Sequence, residues 1–371
     1  MTQVLNPTQN PQAITTAAEA LIQGQIVALP TETVYGLAAN ALDPVAVKKI
    51  FDAKERPSFD PLIVHGSDQW LEYPSTVAEL VNQGILSAST LALQNKIDAV
   101  MKKFWPGPLT LILERGHRIP DIVTSGRSTV GIRIPNHPVF QAVLSKISFP
   151  LAAPSANRFG RISPTTADHV LSELNGRIPL IIDGGNCQVG LESTIVQLFD
   201  DHFIILRPGK ITAAEIEVAY GSPEQPFIKQ ETHNKSQPGM MAPGMMDEHY
   251  APKKSLFLYS KNFSGESIQI PEWADPFWQN KKWGLIAMNQ PPNLINGGYS
   301  DACKSALILS PTHNLDTMAQ RLYDALRTLD NNPVIDAILI DVPVTTSNPN
   351  EQGLVLAIRD RLNRASRNKP F

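Results

Sequence analysis

The apolar run Ile26-Val27-Ala28-Leu29 is cut off by Pro30 and followed at once by the polar turn Thr31-Glu32-Thr33-Val34-Tyr35-Gly36. The run reads as a buried strand, and proline, which has no N–H to donate, ends its ladder. Leu151-Ala152-Ala153 runs in the same way into Pro154-Ser155-Ala156-Asn157. Short strands of this kind, with helical stripes between them, restrict the chain to a layered α/β architecture with a twisted sheet. Polar side chains crowded at a strand end, where an ordinary core places apolar ones, mark a candidate ligand site.

The helical stripes lie between the strands. Ile14, Ala17, Ala18, Leu21 and Ile22 recur at helical spacing, and Gly24 follows as a stop. Asp43-Pro44 opens a second helix, with aspartate as its cap and proline at its first position. Val47, Ile50 and Phe51 stripe that helix, which delivers Lys54 and Arg56 just past its end. Further strands are expected at 62–64, 109–113, 130–134, 180–183, 194–198 and 203–206, and helices at 93–104, 137–147 and 165–175. Composition changes between about 222 and 254, where proline, glycine, methionine and polar residues replace apolar periodicity. Beyond it a second α/β pattern follows, with strands at 256–258, 284–287, 306–309 and 337–340. A helix striped by Met318, Leu322, Leu326 and Leu329 and a terminal helix over 353–367 accompany them.

A chain of 371 residues is too long for one typical core, so two domains are the expectation. A net charge of -3 argues against a strongly basic nucleic-acid binder. Cys187 and Cys303 are the only cysteines, too few for a zinc framework or a disulfide scaffold. Residues 1–12 are polar and carry no apolar core of a secretory signal, and no apolar run reaches the length of a membrane span. A reducing cytoplasm is the expected compartment.

Lys54, Arg56, Arg133 and Arg207 all fall at element ends or in turn-rich contexts, where several cations can converge on phosphate or carboxylate groups. Ser155 and Asn157 sit in the second polar turn, with Ser163 close behind. Small hydroxyl and amide side chains there allow a phosphate to approach backbone donors. The bland reading of each is a solvated cation or ordinary turn chemistry. His65 either binds a ligand or ends a strand. Asp183-Gly184-Gly185 either holds magnesium through its carboxylate or is a plain turn. No phosphate-binding glycine loop, dinucleotide fingerprint, nucleophile elbow or His/Cys cluster is present. From the residues alone, the chain is an α/β protein with a polar, cationic anion site.

The full set of turns goes further. Pro30-Thr31-Glu32-Thr33-Val34-Tyr35-Gly36-Leu37, Lys54-Glu55-Arg56-Pro57, Pro61-Leu62-Ile63-Val64-His65 and Phe104-Trp105-Pro106-Gly107-Pro108-Leu109-Thr110 occur in that order. Thr129-Val130-Gly131-Ile132-Arg133, Ala153-Pro154-Ser155-Ala156-Asn157, Glu192-Ser193-Thr194-Ile195 and Leu206-Arg207-Pro208-Gly209 complete them. Together they resemble the YrdC/YwlC family of threonylcarbamoyl-adenylate synthases over roughly residues 12–220. The remainder resembles the extra domain of the long members, on its length and on His249-Tyr250-Ala251-Pro252.

The resemblance implies a YrdC-like twisted open α/β sheet domain over 1–220, a linker or lid over 221–254 and a smaller Rossmann-like α/β domain over 255–371. It implies synthesis of L-threonylcarbamoyladenylate from L-threonine, bicarbonate or carbon dioxide and ATP, for modification of tRNA beside the anticodon. Thr33, His65, Arg133 and Ser193, with the backbone at Ala153, would surround threonine. Arg56, Asp60, Thr129, Ser155, Ser163 and Arg207 would surround ATP, with Lys54 and Asn157 alongside and Tyr250 folding over the nucleotide. Lys54 and Arg56 would carry the catalytic charge, and Mg2+ would accompany ATP. A downstream threonylcarbamoyl transferase is the implied partner.

Two departures from the family pattern stand out. Glu55 occupies the middle of the basic motif where many relatives have glycine, and Met246-Asp247-Glu248 precede His249 where some carry basic or aromatic residues. A carbamoyl-adenylate former of the hydrogenase-maturation type would need zinc-binding cysteine pairs that two cysteines cannot supply. An RNA-binding module would use the basic tail Arg359, Arg361, Arg364, Arg367 and Lys369, whose bland reading is a solvated helix end favoured by the macrodipole.

Overall fold

A computed structural model of the protein describes residues 1–89, 91–221, 250–259, 281–289, 303–343 and 349–366. The described residues form two compact units. Gly160–Ile162 and the residues from Tyr250 onward make the second, and the rest make the first.

The first unit runs β1 (Gln3–Leu5), α1 (Ala13–Ile22), β2 (Val27–Leu29), β3 (Gly36–Asn40), α2 (Pro44–Lys54), β4 (Ile63–His65), α3 (Thr76–Asn82), α4 (Leu91–Phe104) and β5 (Leu109–Glu114). It continues with α5 (Asp121–Thr124), β6 (Thr129–Arg133), α6 (Pro138–Leu144), β7 (Leu151–Ala152), α7 (Ala167–Leu174), β8 (Leu180–Ile182), β9 (Thr194–Leu198), β10 (Phe203–Arg207) and α8 (Ala213–Tyr220). Its ten strands form one mixed sheet in the order β1-β8-β2-β3-β7-β4-β6-β5-β9-β10.

Most sequence-expected elements are present with shifted ends. Asp43 caps α2 by accepting from the Val45 N–H, and Pro44 opens it, as that dipeptide predicts. Lys54 is the last helical residue rather than one beyond the helix end. The helix expected over 137–147 stops at Leu144, with the His137 side chain capping its start. Two strands were not legible in the pattern. Gly36–Asn40, which opens inside the polar turn motif, turns back as β3 antiparallel to β2. Gln3–Leu5, inside the polar amino end, pairs in parallel with β8.

Both faces of the sheet are packed, which explains why its strands read as continuous apolar runs rather than alternating ones. Side chains still alternate between the faces. Val27 and Leu29 join the core beneath α1 and α6 with Ala17, Leu21, Phe140 and Val143. Ala28 joins the larger core on the other face with Ile50, Phe51, Val100, Met101 and Val170.

In the second unit β11 (Ser255–Tyr259), β12 (Trp283–Ala287), β13 (Cys303–Ile308) and β14 (Ala337–Asp341) form a wholly parallel sheet in the order β11-β14-β12-β13. Helices α9 (Leu315–Asn331) and α10 (Pro349–Ala365) pack on each other beside it. Leu322, Tyr323, Leu326, Leu285, Ile338, Ile340 and Ile358 are buried there. This is the Rossmann-like pattern expected of the carboxy-terminal residues.

Candidate functional site

Part of the candidate site lies on one face of the sheet, and part on the turns and helix end beside it. On β4, β6, β5 and β9 the residues Val64, Val130, Ile132, Leu111, Leu113 and Val196 point into the main core. Their alternates face the other way. They are Ile63 and His65 on β4, Thr129, Gly131 and Arg133 on β6, and Thr110 and Ile112 on β5. Ser193 and Ile195 continue the set at β9. Among the described residues, Ile63, Ile112, Ile195 and Leu206 form an apolar patch there. Gly131 is sunk into that floor, where a Cβ would lie 3.3 Å from Ile112 and 3.4 Å from Ile63 and Thr110.

Parallel pairing of β4 with β6 sets His65 directly beside Arg133. His65 is buried, and desolvation, helped by the Arg133 charge, pulls its pKa from 6.5 down to about 3, so its ring is neutral. Its Nδ1 lies 3.2 Å from the Ile63 carbonyl, and the Leu151 carbonyl is a second acceptor beside the ring. The Arg133 Nε donates to the Gly107 carbonyl at 3.2 Å, and its Nη2 lies 2.8 Å from the Glu32 carboxylate. The Ser193 hydroxyl is 2.8 Å from that of Thr110 and accepts from Arg207 at 3.1 Å, while the Arg207 Nε donates to the Ser193 carbonyl.

The first polar turn is held by Thr31. Its hydroxyl donates to the Val34 carbonyl at 2.6 Å, accepts the Thr33 N–H and lies 2.8 Å from the Thr33 hydroxyl. The second turn is laid against the first. Leu37 N–H donates to Pro154, Ala156 N–H donates to Tyr35, and Ser155 bridges Gly36. Ala153 N–H donates to Ile63, which fixes that backbone at the start of β4. The buried Lys54 ammonium donates to the carbonyls of Ser155 at 2.6 Å and Asn157 at 2.5 Å, pinning the second turn to the end of α2. Burial drives its pKa well below the usual lysine value, and the neighbouring Arg56 adds to the shift.

The centre of charge is Asp60. This fully buried carboxylate sits 2.8 Å from the Arg56 guanidinium. Burial raises its pKa, and the charges of Arg56, Lys54, Arg207 and Arg127 oppose the rise. Three guanidinium groups, of Arg56, Arg207 and Arg127, around one carboxylate leave a local excess of positive charge, the condition for holding a polyanion. Arg56 also donates to the carbonyls of Asp60 and Pro61, and Phe159 lies over its guanidinium at 6.0 Å. The buried Ser163 hydroxyl has no hydrogen-bond partner among the described residues, as expected of a group kept for a ligand.

Lys54, Arg56, Asp60, Thr33, His65, Thr129, Arg133, Ala153, Ser155, Asn157, Ser163, Ser193 and Arg207 therefore all belong to the first unit. Tyr250 is placed in the second, buried, stacked on Tyr323 at 5.9 Å and beneath Arg361 at 5.6 Å. Residues 222–249, which include most of the expected lid, lie outside the described residues. Glu55 takes the left-handed conformation (φ 54°) that ends α2 and pairs at the surface with Arg158 and Arg177. Asp183 is spoken for as a turn residue. It accepts from the Gly185 N–H at 3.1 Å and from Asn6 at 3.3 Å, while the Tyr35 hydroxyl donates to the Gly185 carbonyl at 2.7 Å. Asp60 is likewise engaged by Arg56.

Of the basic tail, Arg359 donates to Pro343, Arg361 lies over the Tyr250 ring and Arg364 pairs with Asp360, while Arg367 and Lys369 fall outside the described residues.

Sequence reasoning named Glu32 and Thr110 within motifs but gave them no role, and passed over Arg127. The signal was available in part, because Arg127, Thr129, Gly131 and Arg133 fall at alternate positions of one stretch.

A family model described as telomere recombination matches residues 19–209, and one described as the threonylcarbamoyl-AMP synthase carboxy-terminal domain matches residues 211–367. The chain is 38% identical to a threonylcarbamoyl-AMP synthase of Bacillus subtilis over 97% of this chain and 94% of that one. It is 36% identical to one of Pyrococcus abyssi over 94% of this chain and 93% of that one. The crystal structure of P. abyssi Sua5 complexed with L-threonine superposes with a TM-score of 0.79 at 32% identity, covering 100% of this chain and 99% of that one. With both domain models matched in order and full-length relatives aligned end to end, the chain belongs to the threonylcarbamoyl-AMP synthase family.

Proposed function

We propose that the protein condenses L-threonine, bicarbonate or carbon dioxide and ATP into L-threonylcarbamoyladenylate, releasing pyrophosphate. The observation that carries this reading is the presence in one unit of a cluster of Arg56, Arg207 and Arg127 around Asp60 and of a buried His65–Arg133 pair on adjacent strands. The cluster suits a triphosphate and the pair a small amino acid. The names of the full-length relatives and the threonine complex of P. abyssi Sua5 support the same reading.

In this scheme the carbamate of threonine attacks the α-phosphorus and pyrophosphate leaves, so the enzyme acts as a nucleotidyltransferase. Arg56, Arg207 and Arg127 spread positive charge over the phosphates as charge develops. Lys54 acts through the second turn, holding Ser155 and Asn157 where backbone donors can meet the nucleotide. Arg133, Thr33, Ser193 and the Ala153 backbone orient the amino acid. Pairing the two substrates in one unit makes the transfer intramolecular, and a closed site protects the fragile carbamate from water. Among the described residues no cluster of three or more carboxylate, histidine or cysteine side chains is present, and Mg2+ would enter on the ATP phosphates. The product then passes in the cytoplasm to a threonylcarbamoyl transferase acting on the tRNA adenosine beside the anticodon.

Purified protein given ATP, magnesium, bicarbonate and L-threonine should release pyrophosphate and accumulate labile threonylcarbamoyl-AMP. Equal pyrophosphate release with and without threonine would overturn the assignment.

A further inference from the structure

Carbamate formation at a threonine ammonium needs a proton acceptor, and none of the residues assigned to threonine above is anionic. Glu32 meets the need. Its carboxylate is buried, and one oxygen, Oε2, lies 2.8 Å from the Arg133 guanidinium. The other, Oε1, is buried with no hydrogen-bond partner among the described residues. A desolvated carboxylate oxygen left without a donor is costly, and a cationic donor entering beside it recovers that cost. Glu32 is also rigidly placed. Its carbonyl accepts the Val189 N–H at 2.7 Å, and the Thr31 hydroxyl network fixes the turn on its other side.

We propose that Glu32 receives the ammonium of L-threonine and takes its proton, and so acts as the general base of carbamate formation. This rests on the function proposed above. One N–H bond of the ammonium breaks, its electron pair stays on nitrogen, and the proton passes to Glu32 Oε1. The nitrogen pair then forms the N–C bond to carbon dioxide, and a C=O π pair moves onto oxygen. The second proton of the resulting N-carboxy ammonium leaves to water, which gives the carbamate. Arg133, shared between Glu32 and the substrate carboxylate, keeps the two anions from repelling each other. The other titratable groups whose charge interacts with Glu32 are His137, which caps α6, and Cys187, whose thiol burial holds in the protonated form.

The test uses the full chain and the isosteric Glu32→Gln variant, with Glu32→Asp and Glu192→Gln as comparators. Forward pyrophosphate release by Glu32→Gln at pH 7.5 should fall at least 100-fold. It should then climb with rising pH as the amine of free threonine loses its proton unaided, while the wild type stays flat. In reverse, supplied with enzymatically made threonylcarbamoyl-AMP and pyrophosphate, the variant should form ATP at the wild-type rate, because that step moves no nitrogen proton. Glu32→Asp should recover part of the forward rate.

A raised KM with an unchanged pH profile, or equal losses in both directions, would show that Glu32 only braces Arg133 and would overturn the proposal. So would the same profile from Glu192→Gln. If Glu32→Gln fails to fold, Glu32→Asp decides, since a selective forward loss supports the base and a uniform one refutes it. Failure of the wild type to show threonine-dependent release would instead fall on the proposed function itself.

Discussion

Arg56 and Asp60 show how much a single side chain carries here. Their exposures are 3% and 0%, so removing the guanidinium strands a buried carboxylate. Breaking such a pair costs about 3–5 kcal/mol. Arg56→Ala should therefore lower the urea midpoint and abolish measurable ATP binding by calorimetry. A variant that binds ATP normally would remove Arg56 from the nucleotide site. His65 gives a pH dependence of definite sign. Its folded pKa lies far below the unfolded value, so between pH 6.5 and about 3 the unfolded chain binds more protons. Stability then falls on acidification through that window, by up to ~1.4 kcal/mol per pH unit. His65→Gln should flatten the dependence in urea titrations at pH 4–7. Glu55 was legible in the sequence only as a misfit. The structure gives the reason it is tolerated, because its left-handed backbone costs about 1 kcal/mol, and two exposed ion pairs offset part of that.

Strands and turns carry the next level. The Arg207-Pro208-Gly209 turn is pressed onto Ser193-Thr194, where a Cβ on Gly209 would lie 2.3 Å from the Thr194 nitrogen. Gly209→Ala should thus push the turn away, loosen the Arg207–Ser193 bonds and destabilise the fold by ~1–3 kcal/mol. It should also weaken ATP binding, and an unchanged melting temperature together with unchanged affinity would refute this. Most elements could be read from local pattern because proline, aspartate caps and glycine stops punctuate them. The exceptions are instructive. β3 was hidden because its residues, Gly36-Leu37-Ala38-Ala39-Asn40, are small and their pairing with β2 and β7 is tertiary. Glu32 stood in the polar turn without a role and Arg127 was passed over, because nothing local marks a charged residue as facing a buried partner. Their charge partners, Arg133 and Asp60, come from distant stretches of the chain, and one chain's spacing does not display that.

On the scale of the whole molecule, two units of different sheet topology are strung on one chain. A fragment of residues 1–220 should unfold cooperatively, since the first unit holds its own core, yet turn over slowly if the residues beyond it act as a lid. Full activity in the fragment would dismiss the lid. The pairing of Gln3 with Leu180 and of Leu5 with Ile182 has a further consequence, for the order in which the molecule is made. At roughly 5–20 residues per second of synthesis, the first strand waits on the order of 10–40 s for its partner to emerge. Until then β2 keeps one edge unpaired, with Val27, Ala28 and Leu29 destined for burial on both faces. The nascent chain therefore carries an exposed, sticky strand edge for most of the first unit's synthesis, and the stretch it needs in order to bury that edge is among the last of that unit to leave the ribosome.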